Sequence, residues 1–172
     1  MQENISNPRF QNPAFIAPSA SVTGDVLLKE DASIWHNATA RGDIAPIEIG
    51  KRSNIQDGAV LHVAHNHPCI IGDDVTVGHG AIVHACTVHD CCLIGMGAII
   101  LDGAEIGTES IVGAGALVTG NKHFPPRSMI LGNPAKIVRQ VTDEESRKIR
   151  ESAEHYITLA RKARTDSMTA ES

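Results

Sequence analysis

Aliphatic side chains recur every six residues along most of the chain. The series runs Ile16, Val22, Leu28, Ile34 and Ala40, then resumes at Ile49, Ile55 and Leu61 and again at Ile71, Val77 and Val83. A last run follows through Val88, Ile94, Ile100, Ile106, Val112 and Val118. Four positions after most of these stands a small residue, among them Ala32, Ala38, Ser53, Ala59, Ala81, Cys92, Ala98, Ala104, Ser110 and Ala116. Glycine often follows the aliphatic position directly, as at Gly50, Gly72, Gly78, Gly95, Gly107 and Gly113. A helix is excluded, because its period is 3.6 and it does not tolerate glycine so often. Each hexapeptide instead reads as a short strand plus a corner, and three of them close a triangular coil of about 18 residues. The aliphatic side chain fills the prism, the small residue fits where the chain turns, and glycine is expected to supply the corner's backbone angles. The pattern predicts an all-β fold over residues 14–121, a left-handed parallel β-helix whose coils stack at the inter-strand spacing of about 4.8 Å.

Residues 1–13 form an N-terminal extension, the first ten or so expected to be disordered. After Val118 the repeat fades, and residues 122–141 are expected to be an extended connector. Thr142 and Glu145 then make a T-x-x-E capping box. Ile149, Ala153, Tyr156, Ile157 and Ala160 follow as one apolar stripe at helical spacing. These features predict a C-terminal α-helix over residues 142–164, packed along one flat side of the prism, with a disordered tail over 165–172.

The register breaks in three places. Ala40 to Ile49 is nine residues, Leu61 to Ile71 is ten, and Val83 to Val88 is five. Insertions in solenoids gather at functional edges, and the polar residues of this chain gather at the same places.

Composition narrows the function. The 172 residues are 42% hydrophobic and 20% charged, with a net charge of −5. That describes a globular protein and argues against nucleic acid as a partner, since no basic field is available. No apolar run approaches the roughly 20 residues that cross a membrane, and no charged start followed by an apolar stretch marks a signal peptide. A cytoplasmic location is the resulting expectation. Aromatic residues make up 3%, which suits a narrow core of small and β-branched side chains. The four cysteines show no C-x-x-C spacing and read as free thiols in a reducing compartment.

The register also places the histidines. Ala40, Leu61 and Val83 share a face in successive coils, so Arg41, His62 and His84, each one residue later, form an outward column. His62 and His84 should stack about 4.8 Å apart at the backbone, which suits two imidazoles on one metal ion. His79 lies two residues after Val77, in a column with His36, Asp57 and Met96, and should point away from that pair. A third ligand would then come from a neighbouring copy, and a closed trimer supplies that arrangement at each subunit boundary. Outward histidines on a solenoid are also often merely solvated, and spacing alone leaves both readings open.

At this point the residues resemble the γ-class carbonic anhydrase family. The resemblance rests on Arg41-Gly42-Asp43, Asn54-Ile55-Gln56-Asp57-Gly58, Leu61-His62-Val63, Val77-Gly78-His79, Val83-His84 and Ile94-Gly95-Met96-Gly97-Ala98. It covers about residues 14–160, including Leu131-Gly132-Asn133-Pro134-Ala135. It implies reversible hydration of CO₂ to bicarbonate by a metal-bound hydroxide in a homotrimer, with zinc, or alternatively iron or cobalt, at each interface. His62, His79 and His84 match the metal ligands, His79 coming from the adjacent subunit. Gln56 matches the residue that orients the hydroxide, and Arg41, Asp43 and Asp57 match polar residues that hold the interface. Tyr156 on the C-terminal helix is a further candidate for the site. The best-studied branch moves protons with glutamates where this chain has Ile44 and the loop His62-Val63-Ala64-His65-Asn66-His67-Pro68. His65 or His67 is the available substitute, since imidazole titrates in the right range. Two other functions compete: a hexapeptide-repeat acyltransferase using CoA, with one histidine as general base, and a non-catalytic trimeric metal-binding scaffold.

Overall fold

The computed structural model describes residues 7–170, with side chains through Asp166. The hexapeptide period is realised as a parallel β-helix with three faces. The first face stacks seven strands, Phe15–Ile16, Ser33–Ile34, Asn54–Ile55, Thr76–Val77, Leu93–Ile94, Ile111–Val112 and Ser128–Gly132. The second face runs from the first halves of Ser21–Leu28 and Thr39–Ile49 through Val60–His62, Ile82–His84 and Ile99–Ile100 to Leu117–Val118. The third runs from Arg9–Phe10 through the second halves of those long strands to Cys69–Ile71, Thr87–Val88, Glu105–Ile106 and His123–Phe124. The aliphatic positions stack inside as three buried columns. One of them, Ile34, Ile55, Ile94, Val112 and Ile130 with Val77, is fully excluded from solvent. Each such side chain contributes about 1.5–3 kcal/mol through burial.

The glycines that follow the aliphatic residues have a role other than the expected one. None of Gly50, Gly72, Gly78, Gly95, Gly107 and Gly113 is left-handed; the corners turn instead at later residues such as Gly58, Gly80, Asp74 and Asn121. All but Gly113 sit where one coil's backbone meets the next, and a Cβ on Gly50 would stand 2.2 Å from the carbonyl oxygen of Gly72. Gly58 has φ +67° but open space around it. Gly50→Ala is therefore expected to destabilise by about 3 kcal/mol, since only separating the coils relieves the clash. Gly58→Ala should cost about 1 kcal/mol from the left-handed backbone alone. Urea unfolding midpoints of the two variants check the order.

The coil extends beyond residue 121, so the segment 122–141 is not a simple connector. His123–Phe124 pairs in parallel with Glu105–Ile106, and Ser128–Gly132 pairs in parallel with Ile111–Val112. Phe124 and Ile130 continue the six-residue series from Val118. Pro125 and Pro126 obscure it, because proline normally ends sheet pairing. In each coil the N–H after the aliphatic residue donates to the following coil, as Gly107 does to Phe124. No further coil lies beyond Pro125, so its missing N–H costs nothing. Ala135–Gln140 then folds back antiparallel on Ser128–Gly132 and closes the end of the sheet.

The C-terminal helix spans Asp143–Ala170, longer than the expected 142–164, and the supposed tail from 165 to 170 is helical. The capping box forms as read: the Glu145 carboxylate accepts the Thr142 N–H at 2.9 Å, and Thr142 Oγ1 accepts the Glu145 N–H at 3.2 Å. Hydrogen bonds from Arg139 and Thr142 hold the Glu145 carboxyl down at about 2. Ile149, Ala153 and Ala160 are buried where the helix lies on Phe15–Ile16, Ser33–Ile34 and Thr76–Val77 of the first face. At the other end, Arg9–Phe10 is a strand on the third face. The rest of the expected disorder, residues 1–6 and 171–172, lies outside the described residues. Among the described residues all four cysteines are free, and no helix is long and apolar enough to cross a membrane.

Candidate metal centre

The ladder places the histidine column where the register predicts it. His84 pairs with His62, and His62 with Arg41, in adjacent coils of the second face. His62 Nδ1 and His84 Nε2 face one another at 3.1 Å. The outer nitrogens are both engaged: His62 Nε2 donates to Asp43 at 2.9 Å and His84 Nδ1 donates to Asp102 at 2.5 Å. A neutral imidazole carries one N–H. With both N–H groups turned outward, the two facing nitrogens have no hydrogen to share, and a cation between them would satisfy both. Two imidazole nitrogens on one tetrahedral zinc ion stand about 3.3 Å apart, close to the observed separation.

Local departures from the repeat build this pair. The extra residues after Ala40 widen the corner so that Asp43 reaches His62, and Arg41 pairs with the other Asp43 oxygen. Gly24 and Gly42 allow the coils to touch there, a Cβ on Gly24 lying only 2.1 Å from the Gly42 carbonyl oxygen. Desolvation works against ionising Asp43, but the His62 hydrogen bond and Arg41 outweigh it and hold the carboxyl below its ordinary range. The extra residues after Leu61 form a tight hairpin in which Ala64 and His67 exchange backbone hydrogen bonds. Its tip, His65, Asn66 and His67, is exposed, as is Ile44. The short interval after Val83 turns at Ala85, a left-handed residue that replaces a two-residue corner.

His79 lies at the opposite edge of the second face. Its corner column is as expected, since the Gly80 N–H donates to the Asp57 carbonyl and the Gly97 N–H to the His79 carbonyl. Its Nδ1 is paired with Asp57 at 2.9 Å. The turn at Gly80 and the length of the strand Ile82–His84 separate it from His84. Among the described residues of one chain, no three His, Cys, Asp or Glu side chains converge to hold a metal ion.

The candidate residues thus fall into two groups. Arg41, Asp43, His62 and His84 share one corner. Gln56, Asp57, His79 and Tyr156 share the other, where Gln56, His79, Met96, Ser152 and Tyr156 line an apolar groove of about 510 Å³. Gln56 is buried, and its amide donates to Asn54, which in turn donates to Thr76. That chain fixes the Gln56 amide with its carbonyl oxygen as the end left to accept. Tyr156 packs edge-on against Trp35 at 5.6 Å, and burial together with the Asp57 charge pushes its hydroxyl up from its usual range. Sequence reasoning missed Asp102. The signal was present, since Asp102 stands 18 residues after His84, one coil further along the same corner.

A triangular β-helix bearing paired, carboxylate-backed histidines on one edge defines a hexapeptide-repeat protein. The family of bacterial transferase hexapeptide (six repeats) matches residues 85–120. The chain is 48% identical over 150 residues to a carbonic anhydrase of Geobacillus kaustophilus, covering 87% of this chain and 82% of that one. It is 46% identical over 159 residues to gamma carbonic anhydrase 1, mitochondrial, of Arabidopsis thaliana, covering 89% of this chain. It spans 58% of the length of that relative. A solved hexapeptide transferase family protein from Anaplasma phagocytophilum superimposes with a TM-score of 0.86 at 41% identity, covering 90% of this chain and 91% of that one. The chain belongs to the γ-class carbonic anhydrase family.

Proposed function

We propose that this protein catalyses the reversible hydration of CO₂ to bicarbonate as a homotrimer. Each site would hold a divalent metal, zinc or alternatively iron or cobalt, on His62 and His84 of one subunit and His79 of the next. The observation that carries this reading is the approach of His62 Nδ1 and His84 Nε2 to 3.1 Å, with the other nitrogen of each ring on a carboxylate. A divalent metal held there supplies a hydroxide nucleophile near neutral pH.

The chain's own residues have definite tasks. Asp43 fixes the orientation of His62, and Arg41 holds Asp43 in place. Asp57 does the same for His79. The Gln56 carbonyl oxygen is positioned to accept a hydrogen bond from the attacking water. Tyr156 and Met96 wall the groove that leads to His79, and its apolar lining suits an uncharged, non-polar gas.

A neighbouring copy is supported by the second face itself. Val60, Ile82, Ile99 and Leu117 align as an outward apolar column beside the histidines, with Ile82 37% exposed. The equivalent first face is covered by the C-terminal helix. A cytoplasmic location remains part of this proposal.

The competing acyltransferase reading needs CoA and a single histidine base, and leaves the second carboxylate-backed histidine without a task. Metal content and stopped-flow CO₂ hydration on zinc- and iron-loaded protein test the proposal. About one metal per subunit with measurable hydration supports it. Full metal occupancy without hydration across pH 6–9 would favour the scaffold, and acetyl-CoA binding without metal would favour the acyltransferase.

A further inference from the structure

We propose that Asp102 is a positioning residue for the metal centre, holding His84 in the tautomer that turns its Nε2 lone pair toward His62. The inference rests on the metal-centre reading and concerns a residue outside the ligand set. Asp102 lies one coil beyond His84 and accepts the His84 Nδ1 hydrogen bond at 2.5 Å.

The fold prepares this contact through the shortened corner. Val83 pairs with Ile100 and Val88 with Ile106, so the ladder is in register on both sides of the turn. Four residues separate Val83 from Val88, whereas five separate Ile100 from Ile106. The Gly103 N–H donates to the Ala85 carbonyl as the Asn121 N–H donates to the Asp102 carbonyl, so Ala85 is the counterpart of Asp102 and the upper corner is one residue short after it. Ala85 carries only a methyl group, which leaves the Asp102 carboxylate free to reach the His84 ring.

A neutral imidazole in water favours the Nε2–H tautomer only slightly, so a carboxylate at Nδ1 suffices to decide the matter. The contact also completes a pattern, since Asp43 engages His62 and Asp57 engages His79. Ligating histidines that donate their other N–H to a carboxylate are fixed in ring orientation, and loss of such a partner weakens metal binding 10–100-fold. Asp43 answers to Arg41 as well as to His62. Asp102 sits at a half-exposed corner, which makes it the more readily replaced of the two.

The experiment uses full-length wild type, Asp102→Ala and Asp102→Asn, each freed of metal and checked for folding by circular dichroism. Zinc affinity is measured by competition with a chromophoric chelator, and the His84 tautomer in metal-free protein by long-range ¹H–¹⁵N spectra. Asp102→Ala is expected to bind zinc about 10–100-fold more weakly and to shift His84 away from the Nδ1–H form. Asp102→Asn keeps an acceptor oxygen and should restore the tautomer and part of the affinity. Unchanged affinity in Asp102→Ala overturns the inference, and so does weakened affinity with an unchanged tautomer. A wild type that takes up no zinc overturns the metal-centre reading instead, and the tautomer spectra still decide what Asp102 does.

Discussion

His84→Ala is expected to abolish metal uptake while leaving the β-helix standing. The side chain projects outward from a strand whose backbone ladder it does not make, so alanine keeps every coil-to-coil hydrogen bond. Its imidazole is one of three proposed ligands, and removing a ligand must cost more than removing a ligand's support. Affinity should fall by more than about 100-fold, and CO₂ hydration should fall to the level of metal-stripped wild type. Stability should behave differently. In metal-free protein the variant loses only the contact with His62 and an exposed hydrogen bond to Asp102. It should therefore unfold within about 0.5 kcal/mol of metal-free wild type. In the presence of zinc wild type should be clearly the more stable, because only wild type gains binding energy in the folded state. Elemental analysis, stopped-flow hydration and thermal unfolding with and without zinc measure the three effects. A metal-free variant that unfolds far earlier than wild type would mean that His84 serves packing rather than ligation.

Much of this site was legible in the sequence, because a repeat of fixed period converts sequence distance into spatial position. The stacking of Arg41, His62 and His84 follows from counting, and the pairing register reproduces it. So does the separation of His79 onto another edge. What counting could not supply was the content of the corners. Gly50 and Gly78 were read as turn-formers, yet their task is to let adjacent coils approach. That demand comes from stacking and leaves no trace in a single hexapeptide. The end of the coil was misjudged for a related reason. Pro125 and Pro126 resemble a terminator, and they are compatible with the ladder only because the next coil is absent. Asp102 went unnoticed because its role depends on a one-residue deletion in the coil above. An interruption was recognised there, but Val83 pairs with Ile100, so Asp102 stands one residue beyond the ladder position opposite His84.

Mixing two inactive variants should restore activity, and this result bears most directly on the two-edged arrangement. Arg41, Asp43, His62 and His84 occupy one corner, while Gln56, Asp57, His79 and Tyr156 occupy the other, so the two proposed half-sites of one chain cannot meet. In a closed ring every site joins the first corner of one subunit to the second corner of its neighbour. A trimer made wholly of His79→Ala chains lacks one ligand at every boundary, and a trimer made wholly of His84→Ala chains lacks another. In a mixed ring, whichever variant is in excess, one boundary joins an intact His62–His84 pair to an intact His79. Co-expression with two different tags, followed by selection for both, isolates such rings. They should hold about one metal per trimer and hydrate CO₂ at about a third of the wild-type rate. Activity indistinguishable from zero in doubly tagged trimers would place the ligands on a single chain and contradict the pairing of corners. Recovery near the full rate would contradict it equally, since it would mean that one damaged half-site is enough. Only a fractional recovery is consistent with a fold whose register sends two histidines to one edge and the third to the other.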